Sequence, residues 1–225
     1  MKFKQLILPV PWALSKRSSD FIINPCNSYA FKWLEKWPLK VQGNFACLVG
    51  EKGAGKTHLA NIWAERMNAY IMNPPLNVFD RWYNTLFECE EQRFFVLDDA
   101  DEVEEEMSLF YIYNTIKDKN AYILMTAKTP PNKWKLSLND VKSRVSTMNV
   151  IQIQRPDEDA MKLILKKMFS QRGILVKDNI VDYIVNRIER SYESINYWIN
   201  RIDRNLLDKK LGASLHSIRD IIKQR

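Results

Sequence analysis

Four clusters of residues in this chain could do chemistry together, and the first is Gly50-Glu51-Lys52-Gly53-Ala54-Gly55-Lys56-Thr57-His58. It fits G-x-x-x-x-G-K-[ST], and it lies between an apolar run, Phe45–Val49, and a helix-like sequence, which is the context a phosphate loop requires. Glycines 50, 53 and 55 allow positive φ and close approach of the backbone to oxygen atoms. Backbone N–H groups of such a loop and the following helix N-terminus cradle phosphates. Lys56 would reach the β- and γ-phosphates, and the Thr57 hydroxyl would help hold Mg²⁺. The implied ligand is ADP or ATP with Mg²⁺.

The second cluster is Phe94-Phe95-Val96-Leu97-Asp98-Asp99, an apolar strand that ends in two carboxylates. Open parallel sheets bind ligands at that end of their strands. Asp98 would hold Mg²⁺ through water, and Asp99 would orient or deprotonate an attacking water. The bland alternative is a charged exit from a strand, since acid is plentiful from Glu102 to Glu106. Third, Thr126 closes another apolar run, Tyr122–Met125, where a hydroxyl could sense the γ-phosphate or the water, or only cap a turn. Fourth, Arg144 lies in Lys142-Ser143-Arg144, where an arginine is either an ordinary surface residue or a charge-stabilising one. Ile22, Pro25 and Asn27, just before the first core strand, are candidates to lie against the nucleotide base, although core packing accounts equally well for their neighbours Phe21 and Ile23.

These groups need a scaffold. Apolar runs at 45–49, 69–72, 94–97, 122–126 and 150–153 predict buried parallel strands. Between them the periodicity predicts helices at 56–68, 78–87 and 108–117, and the segment 138–145 carries Lys142-Ser143-Arg144 before the last strand. From Pro156 onward only helices are expected, at 157–171, 177–189, 192–207 and 215–223, with Gly173 ending the first. The fold class is therefore α/β, a P-loop αβα parallel-sheet domain over 21–155 followed by a small all-helical lid over 156–225. Residues 1–20 read as an extended peptide and linker, because Pro9 and Pro11 forbid a helix. Gln5, Leu6, Ile7, Leu8 and Pro9 are either an edge strand or a peptide that docks into another protein's groove.

The chain has 225 residues, 27% of them charged, and a net charge of +7. The excess is even: 14 Lys+Arg against 10 Asp+Glu after residue 155, and 20 against 17 before it. That suits a protein with acidic partners better than one with a dedicated DNA-binding patch. Cys26, Cys47 and Cys89 are scattered and odd in number, and the two histidines, His58 and His216, are far apart. Disulfides and a zinc site are not expected. No run reaches transmembrane length and no signal-peptide cleavage site follows the first apolar residues, so a cytoplasmic protein without membrane contact is expected.

The order of parts resembles AAA+ ATPases. More narrowly it is similar to the DnaA/Hda family, and within it to the Hda-like regulators of alphaproteobacteria. The likeness runs over essentially the whole chain and rests on Gln5–Pro9, Asn24-Pro25-Cys26-Asn27, Gly50–Leu59, Asp98-Asp99, Thr126–Pro131, Lys142-Ser143-Arg144 and Arg190-Ser191. It implies an ADP-bound protein that attaches through Gln5–Pro9 to the DNA sliding clamp, the β subunit of DNA polymerase III. There it would stimulate ATP hydrolysis by the initiator DnaA and so inhibit re-initiation of DNA replication. Arg144 matches the family's arginine finger, acting in trans. Two departures bear on this. The chain as given ends after the lid helices with no helix-turn-helix domain for sequence-specific DNA binding, which points away from the initiator. The family's sensor arginine in the third lid helix is matched by Glu193, with Arg190 one turn earlier as a substitute nucleotide contact. A carboxylate there disfavours ATP by repulsion, so weak or no intrinsic ATPase activity is expected. The competing expectations are an autonomous AAA+ ATPase or helicase-loader-type motor working as a homo-oligomer, and an inert adaptor that uses nucleotide only to hold its lid. A clamp-binding monomer or homodimer would speak against the motor.

Overall fold

The computed structural model describes residues 21–72, 91–209 and 214–223. The expected docking peptide Gln5–Pro9, the expected helix 78–87 and Cys89 lie outside these residues. Five strands form one sheet: β1 (Phe45–Val49), β2 (Tyr70–Met72), β3 (Phe94–Leu97), β4 (Tyr122–Ala127) and β5 (Asn149–Gln152). All described pairings are parallel and the order is β2-β3-β4-β1-β5. β1 lies between β4 and β5, with Val49 opposite Ala127 and Gln152, so the loop after β1 emerges in the middle of the sheet's C-terminal edge. The helices are α1 (Ser28–Lys36), α2 (Lys56–Met67), α3 (Glu106–Asp118), α4 (Asn139–Ser146), α5 (Glu158–Gln171), α6 (Asp178–Val185), α7 (Tyr192–Lys209) and α8 (Leu215–Lys223).

The period of two explains the layers. Cys47, Val49, Phe95, Leu97, Ile123 and Met125 point to one face, where Leu109, Ile112 and Ile116 of α3 and Val141 and Val145 of α4 cover them. Their neighbours Ala46, Leu48, Val96 and Leu124 point to the other face, under α1 and α2. On that side Trp37 stacks between Trp33 and Trp63, at centroid distances of 5.6 and 4.9 Å. Its indole N–H donates to Gly43 O at 2.8 Å.

A third cluster belongs to α5–α8 and includes Leu165, Phe169, Ile184, Ile195, Ile199 and Ile218. Asp157 caps α5, accepting from Ala160 N at 2.8 Å, with Glu158 and Asp159 in the first turn where the helix dipole favours acid. Gly173, at φ +69°, ends it. α6 stops at Val185, shorter than expected, because the chain must turn before Ser191 can cap α7 by accepting from Ser194 N at 3.0 Å. The segment before α1 joins the two bodies: Phe21 packs in the α1/α2 cluster, and the next residue, Ile22, packs in the cluster of α5–α8.

Trp37 is fully buried within that aromatic stack. Trp37→Ala is expected to cost about 3–5 kcal/mol of stability, read as a lower urea midpoint with unchanged slope; an unmoved midpoint would contradict the packing described.

Candidate functional site

The loop from β1 to α2 is built on close approaches. Gly50 N donates to Ala127 O at 3.1 Å, and a Cβ at Gly50 would stand 2.5 Å from Ile153 O. Ala54 N donates to Glu51 O at 3.1 Å, closing a tight turn. Gly53 and Gly55 take φ of +78° and +93°. A Cβ at Gly53 would sit 2.5 Å from Ser191 Cβ, and one at Gly55 3.4 Å from the Tyr192 ring. The α7 end of the helical body therefore rests directly on the loop. Gly55 is the N-cap of α2 and brings no side-chain cap, while Lys56, Thr57 and His58 occupy the first turn, whose amides have no intrahelical acceptor. Lys56 is buried, its Nζ donating to Gly50 O at 2.8 Å and Glu51 O at 3.2 Å, so the ammonium is held inside the loop curve.

At the end of β3 the Asp98 carboxylate is buried and accepts two hydroxyl donors. Thr57 Oγ1 lies 2.9 and 3.1 Å from its two oxygens, and Thr126 Oγ1 lies 2.6 Å from one. The hydroxyl of Thr126, a fully buried residue, also accepts from Asp99 N at 2.9 Å. Thr126 thus orients both aspartates, and its hydroxyl is engaged within the protein. Asp99 itself adopts a left-handed conformation, φ +48°. Burial first, then the neighbouring Asp98 and Glu102 charges, push its carboxyl above the ordinary carboxylate value. Among the described residues there is no group of three or more His, Cys, Asp or Glu side chains able to hold a metal. A Mg²⁺ ion, which keeps waters and phosphate oxygens and takes one or two carboxylates, fits Asp98 with Thr57 without such a group.

The helical body reaches the loop through Tyr192, which sequence reasoning missed. Tyr192 N donates to Gly53 O at 2.9 Å. Its hydroxyl accepts from Asn24 Nδ2 at 2.9 Å and Asn27 Nδ2 at 3.0 Å, and both amides also donate to Ile22 O. Asn27 and Ile22 are thereby brought beside the loop, whereas Pro25 is exposed. Burial raises the Tyr192 phenol above its usual value, against the lowering effect of the two amides. Asp101, part of the acidic run, accepts from Lys128 N, Thr129 N and Thr129 Oγ1 and so shapes the turn after β4.

The other candidates lie further out. The His58 ring meets Phe21 edge-on at 5.3 Å. Glu193 sits 3.9 Å from Lys52 at the loop rim, with both side chains exposed, and Arg190 is exposed 3.9 Å from Glu158. Arg155 bridges loop and helical body, 2.6 Å from Glu51 and 3.9 Å from Glu189. Arg144 is not drawn to the loop: it pairs with Asp140 at 2.9 Å, donates to Asn114, and lies over Phe110 at 4.5 Å. Among the described residues, no helix is long and apolar enough to cross a membrane.

No protein-family model matches the chain. It is 23% identical over 231 residues to an uncharacterized protein of Haemophilus influenzae, covering 97% of this chain and 98% of that one. It is 24% identical over 217 residues to the chromosomal replication initiator protein DnaA of Nautilia profundicola, covering 87% of this chain and 48% of DnaA. The chain thus spans about half the length of that DnaA relative. Domain III of Thermotoga maritima DnaA superposes with a TM-score of 0.75 at 15% identity, over 92% of this chain and 95% of that one. The T. maritima RuvB Holliday junction branch migration motor gives 0.73 at 17% identity, over 92% and 71%. AMPPCP-bound DnaA from Aquifex aeolicus gives 0.67 at 18% identity, over 89% and 68%. The fold is the one shared by domain III of DnaA and RuvB, and in sequence the chain is similar to DnaA over part of that protein's length.

Two predictions test the site. Tyr192→Phe leaves one donor of each asparagine amide unmatched and is expected to cost about 1–3 kcal/mol in urea unfolding; no loss would mean the network does not hold the two bodies together. For Asp99, a raised native value means that ionisation above the unfolded value of 3.8 works against the fold. Asp99→Asn should therefore raise the melting temperature at pH 7, with the gain fading as pH falls through the raised native value and gone near 3.8. Calorimetry at the two pH values checks both the gain and its loss.

Proposed function

We propose that this chain binds an adenine nucleotide with Mg²⁺ at residues 50–58 and serves replication initiation as a DnaA-related regulator of the Hda type. The observation that carries the nucleotide reading is the uncapped α2 N-terminus behind left-handed glycines, with Lys56 held inside the loop and the Asp98–Thr57 pair beside it. Lys56 supplies charge to the β- and γ-phosphates. Thr57 and Asp98 take the metal side, and Ile22, Pro25 and Asn27 the base side. Mg²⁺, when bound, neutralises phosphate charge. AMPPCP in the A. aeolicus DnaA of similar fold supports adenine as the base. Glu193 puts a carboxylate at the loop rim where the family's sensor arginine is matched, which supports ADP over ATP at rest and weak intrinsic hydrolysis.

The regulatory half of the proposal rests on the relationship to DnaA and on where Arg144 stands. Its partners Asp140, Asn114, Phe110 and Tyr113 belong to α3 and α4 and not to the loop, so an arginine finger here would serve a second chain. In this reading Gln5–Pro9 hold the protein on the sliding clamp and Arg144 stabilises charge on the γ-phosphate of DnaA-bound ATP.

Two measurements separate the halves. Lys56→Ala is expected to weaken ADP binding by about 10- to 100-fold in calorimetry, the worth of one charge-assisted hydrogen bond; unchanged affinity would sink the nucleotide site. DnaA-ATP hydrolysis on clamp-loaded DNA should be stimulated by the parent protein. Arg144→Ala should remove that stimulation, about 10³-fold or more in comparable systems, and Gln5→Ala/Leu8→Ala should abolish it together with clamp binding. Full stimulation by Arg144→Ala would leave only the nucleotide half standing.

A further inference from the structure

An apolar groove on the outer face of α1 and α2 has no part in the nucleotide site. Its cavity measures about 590 Å³ and is lined by Phe31 and Leu34 of α1 and by Leu59, Ile62, Trp63 and Arg66 of α2. Leu34, Leu59 and Trp63 are buried and form its floor, while Phe31 and Ile62 are half-buried walls. Arg66 closes one end, its guanidinium donating to Leu34 O and, at 3.2 Å, to Trp37 O. At the other end the Phe31 ring is stacked on Phe21, with centroids 5.7 Å apart. Phe21 is the first described residue, so the chain before it arrives at the Phe31 end of the groove.

The sequence just upstream suits that groove. Val10, Trp12 and Leu14 alternate with Pro11 and Ala13. An extended backbone, which Pro9 and Pro11 favour, sets alternate residues on one face. Extended, Val10–Leu14 covers about 13 Å, and the helix from Leu59 to Arg66 covers about 10 Å. The polar stretch Ser15–Asp20 spans up to about 20 Å, which is ample to link the groove to Phe21.

We propose that Val10–Leu14 of this same chain occupies the α1/α2 groove, with Trp12 and Leu14 against Phe31 and Ile62. The short link to Phe21 sets the direction: Leu14 lies toward the Phe31 end and Val10 toward Arg66, antiparallel to α2. A second copy of the chain or a peptide from another protein loses translational freedom on binding. A segment on a short tether meets the groove at an effective concentration of millimolar order. Residues before Val10 then leave the groove beside Arg66, at the end of α2 remote from the phosphate loop. Whatever binds those residues is held on that side of the domain. The inference needs neither the nucleotide reading nor the regulatory one.

The test places the photo-crosslinking residue p-benzoylphenylalanine at position 12 of the full chain and, separately, at position 14. After irradiation, chains are sized under denaturing conditions and the joined peptides are mapped by mass spectrometry. Both positions should join to peptides of α1 and α2 within single chains. Ile62→Glu puts a charge on the groove wall and should lower the yield at least about fivefold, with a parental melting temperature because the side chain is only half-buried. The map from the otherwise unchanged chain decides the matter even where that variant does not fold. Joining only to other elements, or none at all in the folded chain, would overturn the proposal and leave the groove to a separate partner. Joining to α1 and α2 only in cross-linked dimers would overturn it in favour of a second copy. Parental yield in a folded Ile62→Glu chain would overturn it as well.

Discussion

The hydrogen bond from Tyr192 N to Gly53 O, 2.9 Å long, is the contact on which the rest of the arrangement depends. A backbone-to-backbone bond brings the two chains so close that neither can carry bulk at the point of contact. Gly53 meets Ser191 there, and Gly55 meets the Tyr192 ring. The glycines of the loop are thus required twice, once for left-handed φ and once for the approach of α7. The same tyrosine takes both asparagine amides of the segment before α1 on its hydroxyl. Loop, helical body and N-terminal segment therefore share one residue. Whatever alters the loop backbone is felt by α7 directly, because packed interfaces shift between discrete arrangements rather than deforming smoothly.

The second constraint is electrostatic. Two adjacent carboxylates end β3, and only one is given donors. Asp98 is buried and accepts from Thr57 and Thr126, while Asp99 is half-buried beside it and its carboxyl is pushed above the ordinary value, by burial first and then by the Asp98 charge. Equal residues in adjacent positions thus receive different surroundings because Thr126 is placed between them. Thr126 does this from the next strand over, its hydroxyl bonding Asp98 and the Asp99 amide at once.

Local patterns were legible in the sequence and long-range partnerships were not. The glycine-rich loop before α2 and the β3 aspartates are contiguous in sequence, so their spacing marked them as candidates, and apolar runs bounded by turns disclosed the parallel strands. The end of α6 was overestimated because the periodicity continues past Val185, whereas the cap that stops it, Ser191, belongs to the next helix. Tyr192 read as one more aromatic in an amphipathic helix; only the fold brings it to Asn24, 168 residues away in sequence. Asp101 hid in an acidic run until the turn at Lys128–Thr129 closed on it.

Arg144 shows how position and restraint combine. Its guanidinium is held by Asp140 and Asn114 and lies over Phe110 and Tyr113, so its direction is set within the chain. The hold is nevertheless light. An i,i+4 pair with an exposed aspartate contributes only about 0.3–0.5 kcal/mol in water. A phosphate accepts the whole fork with roughly twice the strength of a neutral hydrogen bond, more so where water is excluded. The aromatic contacts orient the guanidinium plane without competing for its donors. The proposed role of Arg144 on another chain's phosphate needs this balance: enough restraint to limit the entropy lost on docking, and an internal partner weak enough to be displaced by the anion.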